Sequence, residues 1–141
     1  MAANDSKADL IASVPLFEGL SRSELAEIAK LMDEVDVPAG HVLMKQGDLG
    51  RQMFVVVRGR AAVERNGQKI NELGPGGAAG EMALIAEAPR NATVTTMEPS
   101  LLLVADHRGF HSLMDVSPTI RIRIFEGIAN KIRSLDPGAA N

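Results

Sequence analysis

The sequence predicts a mainly β fold flanked by helices, and three observations carry that prediction. Between about residues 35 and 106, Gly40, Gly47, Gly50, Gly59, Gly67, Gly74 and Gly80 punctuate short apolar runs. Those runs, HVLM, MFVVV, AAVER, QKINEL, TVTT and LLLVA, have the length and residue content of strands. On either side, apolar residues recur instead at spacings of three and four, the period of an amphipathic helix. Many short strands joined by regular turns predict a sandwich or a barrel closed on itself. The 141 residues suit a single domain spanning 1–141.

Residues 1–34 read as helical. Asp5 is placed to cap a helix running to Ser13. Ser21 and Glu24 fit a capping box, with Leu20 and Leu25 at the positions of a hydrophobic staple. Leu25, Ile28, Ala29, Leu31 and Met32 follow at helical spacing. In the strand zone, 35–106, Asn66-Gly67 between two apolar runs predicts a two-residue hairpin with a type I′ turn. MFVVV has no polar alternation and reads as core. Residues 81–86 break the pattern and read as one or two turns of helix. Residues 107–136 are helical again. Asp106 is placed to cap a helix carrying Phe110, Leu113 and Met114. Ser117-Pro118 reads as N-cap followed by proline at the first helical position. The helix beyond sets Ile120, Ile124, Phe125, Ile128, Ile132 and Leu135 along one face, and Pro137-Gly138 stops it.

Composition narrows the function classes. Aromatic residues are 3% of the chain, with neither Trp nor Tyr, which argues against a stacking platform for single-stranded nucleic acid. The net charge of −3 shows no basic surplus of the kind DNA-binding chains carry. There is no cysteine, which excludes disulfides, thiolate metal sites and a cysteine nucleophile. The start, MAANDSKADL, lacks the apolar core of a signal peptide, and no apolar run is long enough to span a membrane, so a cytoplasmic location is expected. His41, His107 and His111 lack the spacing of a cupin metal site, and no metal is expected. No nucleophile–base pair with an oxyanion hole is visible, and no catalysis is expected.

One stretch stands apart, GGAAGEMALIAEAPRNATV, residues 76–94. Glycines and alanines reduce it to little more than backbone, around one carboxylate, Glu81, and one guanidinium, Arg90. In Gly80-Glu81-Met82-Ala83-Leu84 followed by Pro89-Arg90-Asn91-Ala92-Thr93, this segment resembles the phosphate-binding cassette of the cyclic nucleotide-binding domain family. That family is the module of catabolite-activator-type regulators, cyclic-nucleotide-dependent kinases and cyclic-nucleotide-gated channels. Gly47-Asp48, Gly59 and the closing FHSLMDVSPTIRIRIFEGIANKIRSL are also similar to the family, so the likeness covers roughly residues 10–135. One departure is Ala79, where family members usually carry Phe.

The resemblance implies an eight-stranded β-roll or jelly-roll barrel, with the cassette helix inserted and hinge and lid helices closing the chain. It implies a 3′,5′-cyclic mononucleotide as ligand, cyclic AMP before cyclic GMP, and no separate cofactor. The implied binding set is Gly80, Glu81, Met82, Ala83, Arg90, Asn91, Ala92 and Thr93. A ring phosphate with one negative charge suits the flat fork of Arg90 and the amides opening a short helix. Glu81 suits the single free ribose 2′-hydroxyl. Gly80 and Ala83 let the backbone approach the phosphate. The side chains of Met82, Leu84 and Ile85 read as core. Val55 or Val57 is placed to touch the purine, and Asn91 either borders it or faces solvent. Residues 110–114 would be the hinge and 117–135 the lid, with Phe125, Lys131, Arg133 and Leu135 the candidates to cap the base. The lid is expected to dock within its own chain, as a monomer or weak dimer. No recognition helix follows it, so DNA contact by this chain is not expected, and the output passes to a partner protein or an effector domain outside it. The rival reading is a degenerate cassette serving as an interaction scaffold.

Overall fold

The computed structural model describes the backbone of residues 3–86 and 88–135, and the side chains of residues 7–81, 83–85 and 88–130. Its elements in chain order are α1 (Ala3–Ala12), a 3-10 turn (Pro15–Phe17), α2 (Arg22–Leu31), β1 (Asp33–Val37), β2 (Val42–Met44), β3 (Gln52–Arg58), β4 (Ala61–Arg65), β5 (Gln68–Leu73), β6 (Ala78–Ala79), α3 (Glu81–Ala86), β7 (Thr93–Thr96), β8 (Ser100–Asp106), α4 (His107–Val116) and α5 (Pro118–Leu135). The strands form two four-stranded antiparallel sheets, ordered β1-β8-β3-β6 and β2-β7-β4-β5. This is the β-roll expected. Among the described residues it is two sheets with separate ladders, which corrects the expectation of a closed barrel.

β3 and β8 explain the layering. Both are apolar at nearly every position because both of their faces are covered. Met53, Val55, Leu103 and Ala105 point to the helices, joining Phe17, Ile28, Phe110, Leu113 and Ile120 in one core. Phe54, Val56, Leu102 and Val104 point the other way, joining Met44, Ala61, Leu73 and Val94 of the second sheet in another. The first sheet is thus the middle layer, with helices on one side and the second sheet on the other.

Local chemistry sets the element ends. The Ser21 hydroxyl accepts from the Glu24 amide at 3.1 Å, and the Glu24 carboxylate accepts from the Ser21 amide at 2.9 Å, which completes the capping box. Asn66 and Gly67 have φ of 55° and 79°, as a type I′ turn demands, and Arg65 pairs with Gln68 across it. Asp106 caps α4 by accepting from the Gly109 amide at 2.6 Å. Ser117 caps α5 by accepting from Thr119 at 3.2 Å, with Pro118 at the first helical position.

Two expectations need correction, and two strands were not anticipated. α1 begins at Ala3, so Asp5 lies within the helix and does not cap it. β1 was not foreseen, although Val35 and Val37 alternate with acids, because Asp33, Glu34 and Asp36 mask a strand that lies at the sheet's edge. β6 is only two alanines, a pairing with β3 that no propensity signals. On α5, Ile120 and Ile124 are buried and Ile128 half-buried, whereas Phe125 is 49% exposed. Ile132 and Leu135 and the stop at Pro137-Gly138 lie outside the described side chains and residues.

Candidate functional site

The site begins with the turn between β2 and β3. Gly47 donates its amide to the Arg90 carbonyl at 2.9 Å, and the Arg90 amide donates to the Asp48 carbonyl at 2.8 Å. Leu49 and Pro89 form a β-bridge between these bonds. Arg90 is therefore clasped by backbone before its side chain makes any contact. Arg90 is 7% exposed, and its guanidinium turns inward. Nη1 donates to the Gly80 carbonyl at 3.1 Å and Nη2 to the Gln52 carbonyl at 2.7 Å. The guanidinium carbon lies 6.0 Å from the centre of the Phe54 ring. Phe54 stands directly across the ladder from Ala79. An aromatic ring is thus present beside the cassette although the position before Gly80 is alanine.

Two glycines make room for this arrangement. A Cβ on Gly50 would sit 2.1 Å from Arg90 Nε. Gly80 has φ +94°, a conformation that favours glycine, and a Cβ there would lie 2.6 Å from both Arg90 Nη1 and the Gln52 carbonyl oxygen. Burial lowers the Arg90 pKa, and the negative field of Glu81 offsets only part of that. A guanidinium remains charged through such a shift. Glu81 opens α3 and is 3% exposed. The chain thus keeps a buried acid and a buried base within each other's field.

The other candidates fall into place around this pair. Ala83 and Ala92 are buried, keeping the cassette thin. Thr93 accepts from the Gln46 amide at 3.0 Å, and Gln46 exchanges two hydrogen bonds with Asn66 of the hairpin turn. Asn91 is exposed, and its carbonyl accepts from Arg65 Nε at 3.1 Å. The side chain of Met82 lies outside the described residues. Leu84 is core as expected, but Ile85 is 38% exposed and is not. Val55 is fully buried against the helices and Val57 packs on the same side, so Val55 has no surface to offer a purine. Among the lid candidates Phe125 is exposed, while Lys131, Arg133 and Leu135 lie outside the described side chains.

Glu81 and Arg90 line different cavities. Glu81 borders one of about 490 Å³ beneath α5, with Leu73, Gly77, Arg123, Gly127 and Asn130. Arg90 borders another of about 420 Å³, with Lys45, Asp48, Arg51 and Gln52. α5 is fastened near the first cavity by Arg123, whose Nη1 donates to the carbonyls of Pro15, Leu16 and Glu18 at 3.4, 3.0 and 2.8 Å. Sequence reasoning missed Gly50, Arg123 and the carbonyls of Asp48, Gln52 and Gly80. The paired glycines of Gly47-Asp48-Leu49-Gly50 were the one available signal. Carbonyl acceptors leave no mark in a sequence.

Comparison with known proteins finds relatives over most of the chain. The model of the family described as "Cyclic nucleotide-binding domain" matches residues 34–117. A cyclic nucleotide-gated potassium channel of Rhizobium etli is 41% identical over 111 residues, covering 79% of this chain and 31% of the channel. A cAMP-dependent protein kinase regulatory subunit of Neurospora crassa is 34% identical over 131 residues, covering 83% of this chain and 34% of the subunit. The crystal structure of the Thermus thermophilus catabolite activator protein superposes with a TM-score of 0.77 at 28% identity, covering 89% of this chain and 62% of that one. The chain spans about a third of the length of these two curated relatives.

Proposed function

The chain belongs to the cyclic nucleotide-binding domain family, and from that premise we propose that it binds a 3′,5′-cyclic mononucleotide, cyclic AMP in preference to cyclic GMP, and acts as a regulatory sensor. The single observation that carries the reading is the buried Glu81–Arg90 pair, set by Gly80 at the matching cassette spacing. A buried guanidinium aimed by two backbone carbonyls is a costly device for a structural role. It is an apt one for an anion, since a guanidinium is a planar, permanently charged fork that pairs two phosphate oxygens. Glu81 would accept from the ribose 2′-hydroxyl, with Arg90 offsetting its charge. The preference for adenine is supported by relatives named as cAMP-dependent regulators.

The two cavities bear on mechanism. On this reading one ligand engages Arg90 and Glu81 together and draws α3 toward it, and α4, which packs on α3 and α5, carries the movement to α5. Ligand shifts such an equilibrium by binding the closed arrangement better. This reading assigns the chain binding, not catalysis, in the cytoplasm. Its output passes to a partner protein or an effector domain outside these residues, with no direct nucleic-acid contact. Among the described residues no helix is long and apolar enough to cross a membrane.

Titration of 15N-labelled protein with cyclic AMP tests the site. Saturable shifts concentrated at residues 80–93, with slowed amide exchange along α5, would support the reading. Absence of saturable shifts at those residues would refute it and favour the interaction scaffold.

A further inference from the structure

His107 and His111 stand one turn apart at the start of α4, both exposed. Their Nε2 atoms are 3.3 Å apart, and their rings meet edge to face at 69°. Two bonds of about 2.0–2.1 Å from a tetrahedral zinc hold their nitrogens about 3.3–3.4 Å apart. The two imidazoles therefore already sit at the separation of a chelate. The lack of cupin spacing excludes a different kind of metal centre and has no bearing on a pair on one helix face.

We propose that His107 and His111 form a surface chelate for a first-row divalent transition cation, Zn²⁺ or Ni²⁺ being the class that imidazole selects. Neither ring has to search for its position. His111 rests edge to face on buried Phe110, at a centroid distance of 5.7 Å. α4 holds the backbone of both, and its first turn is fixed by the Asp106 cap. The second imidazole thus binds an ion already held by the first, at a high effective concentration. Both rings bind as neutral imidazoles with the proton on Nδ1 and the Nε2 lone pair on the metal; a ring that donates from Nε2 in the free pair takes its proton up on Nδ1 instead, through water, so no net proton is lost.

One term opposes the site: a helix N-terminus disfavours a cation. The Asp106 carboxylate, adjacent in sequence, offsets part of that repulsion. Among the described residues no third His, Asp or Glu joins the pair in a metal-holding cluster, so water completes the shell. The ion is therefore exchangeable, and binding it staples the first turn of α4, the helix that touches both the cassette helix and α5.

Calorimetric titration of the whole chain with NiCl₂, after chelator treatment, tests the site. Wild type is expected to show one site. His107→Ala and His111→Ala should each weaken it by roughly tenfold or more, and the double variant should bind more weakly than either single. His41→Ala should leave it unchanged. The register variant His111→Ala/Ser112→His keeps the histidine count and should behave like the single variants, since a chelate depends on the one-turn spacing. Wild-type affinity in either single variant, or in the register variant, would overturn the proposal, as would wild-type protein that takes up no nickel.

Discussion

Gly50 gives the sharpest handle on the site, because alanine there displaces Arg90 without removing it. The backbone at Gly50 lies outside the left-handed region, so Gly50→Ala introduces no torsional strain. The new methyl would meet Arg90 Nε at 2.1 Å and the guanidinium carbon at 2.2 Å. Ordinary carbon contacts are about 3.5–4.0 Å, so the guanidinium has to move by roughly 1.5 Å. A shift of that size breaks the 3.1 Å bond to Gly80 and the 2.7 Å bond to Gln52. Hydrogen bonds to charged groups contribute about 1.5–3 kcal/mol each. Rehydration of the displaced fork offsets much of that, leaving an expected loss of about 1–3 kcal/mol in the stability of the unliganded protein. A fork no longer aimed at the phosphate should forfeit a similar charge-assisted interaction, which is about ten- to a hundredfold in affinity. Calorimetry with cyclic AMP on wild type, Gly50→Ala, Arg90→Ala and the double variant forms a cycle. Arg90→Ala alone should cost about ten- to a hundredfold or more, and Gly50→Ala should add nothing in its background. An equal loss with and without Arg90, or no loss at all, would refute the claim that Gly50 acts through the guanidinium.

The remaining predictions concern the helices. Ser21→Ala should lower stability by about 0.5–2 kcal/mol, read from the urea midpoint. The Ser21 backbone and side-chain hydrogen bonds hold the Glu24 pKa below its ordinary 4.5. Its stabilising contribution is therefore complete above that value and is lost as the pH falls through the lowered one, so the gap in urea midpoint between wild type and Glu24→Gln should narrow from about pH 6 to about pH 3. Arg123→Ala removes the bonds to Pro15, Leu16 and Glu18 and should speed amide exchange along α5 more than along β3 and β8. Ile120→Ala, at a fully buried position, should cost about 2–5 kcal/mol, while Phe125→Ala, half exposed on the same helix, should change the melting free energy by less than about 0.5 kcal/mol.

What the sequence made legible was local chemistry. The Ser21–Glu24 box, the Asn66-Gly67 turn and the caps at Asp106 and Ser117 each follow from a few adjacent residues, and each is present. MFVVV read as core and LLLVA as a strand, and β3 and β8 are both covered on their two faces. What depended on distant backbone was not legible. β6 pairs with Phe54 and Val55 of β3, and a closed barrel was expected from short strands with regular turns and from the family resemblance, neither of which reports the ladders between distant strands. In the cassette the side chains were readable and their anchors were not. Arg90 is fixed by carbonyls from residues 48, 52 and 80, and any residue type supplies a carbonyl. Phe125 was misplaced because a face of six apolar residues is wider than the strip that α5 buries.

The central claim, that this cassette holds a cyclic nucleotide, is tested most directly by calorimetric titration of the purified chain with cyclic AMP, cyclic GMP and 5′-AMP in parallel. The account predicts saturable binding of cyclic AMP in the micromolar range or tighter, weaker binding of cyclic GMP, and much weaker binding of 5′-AMP, whose phosphate carries more charge toward Glu81. Tighter binding of cyclic GMP would overturn the adenine preference alone. No heat and no thermal shift with any cyclic nucleotide at millimolar concentration would contradict the account.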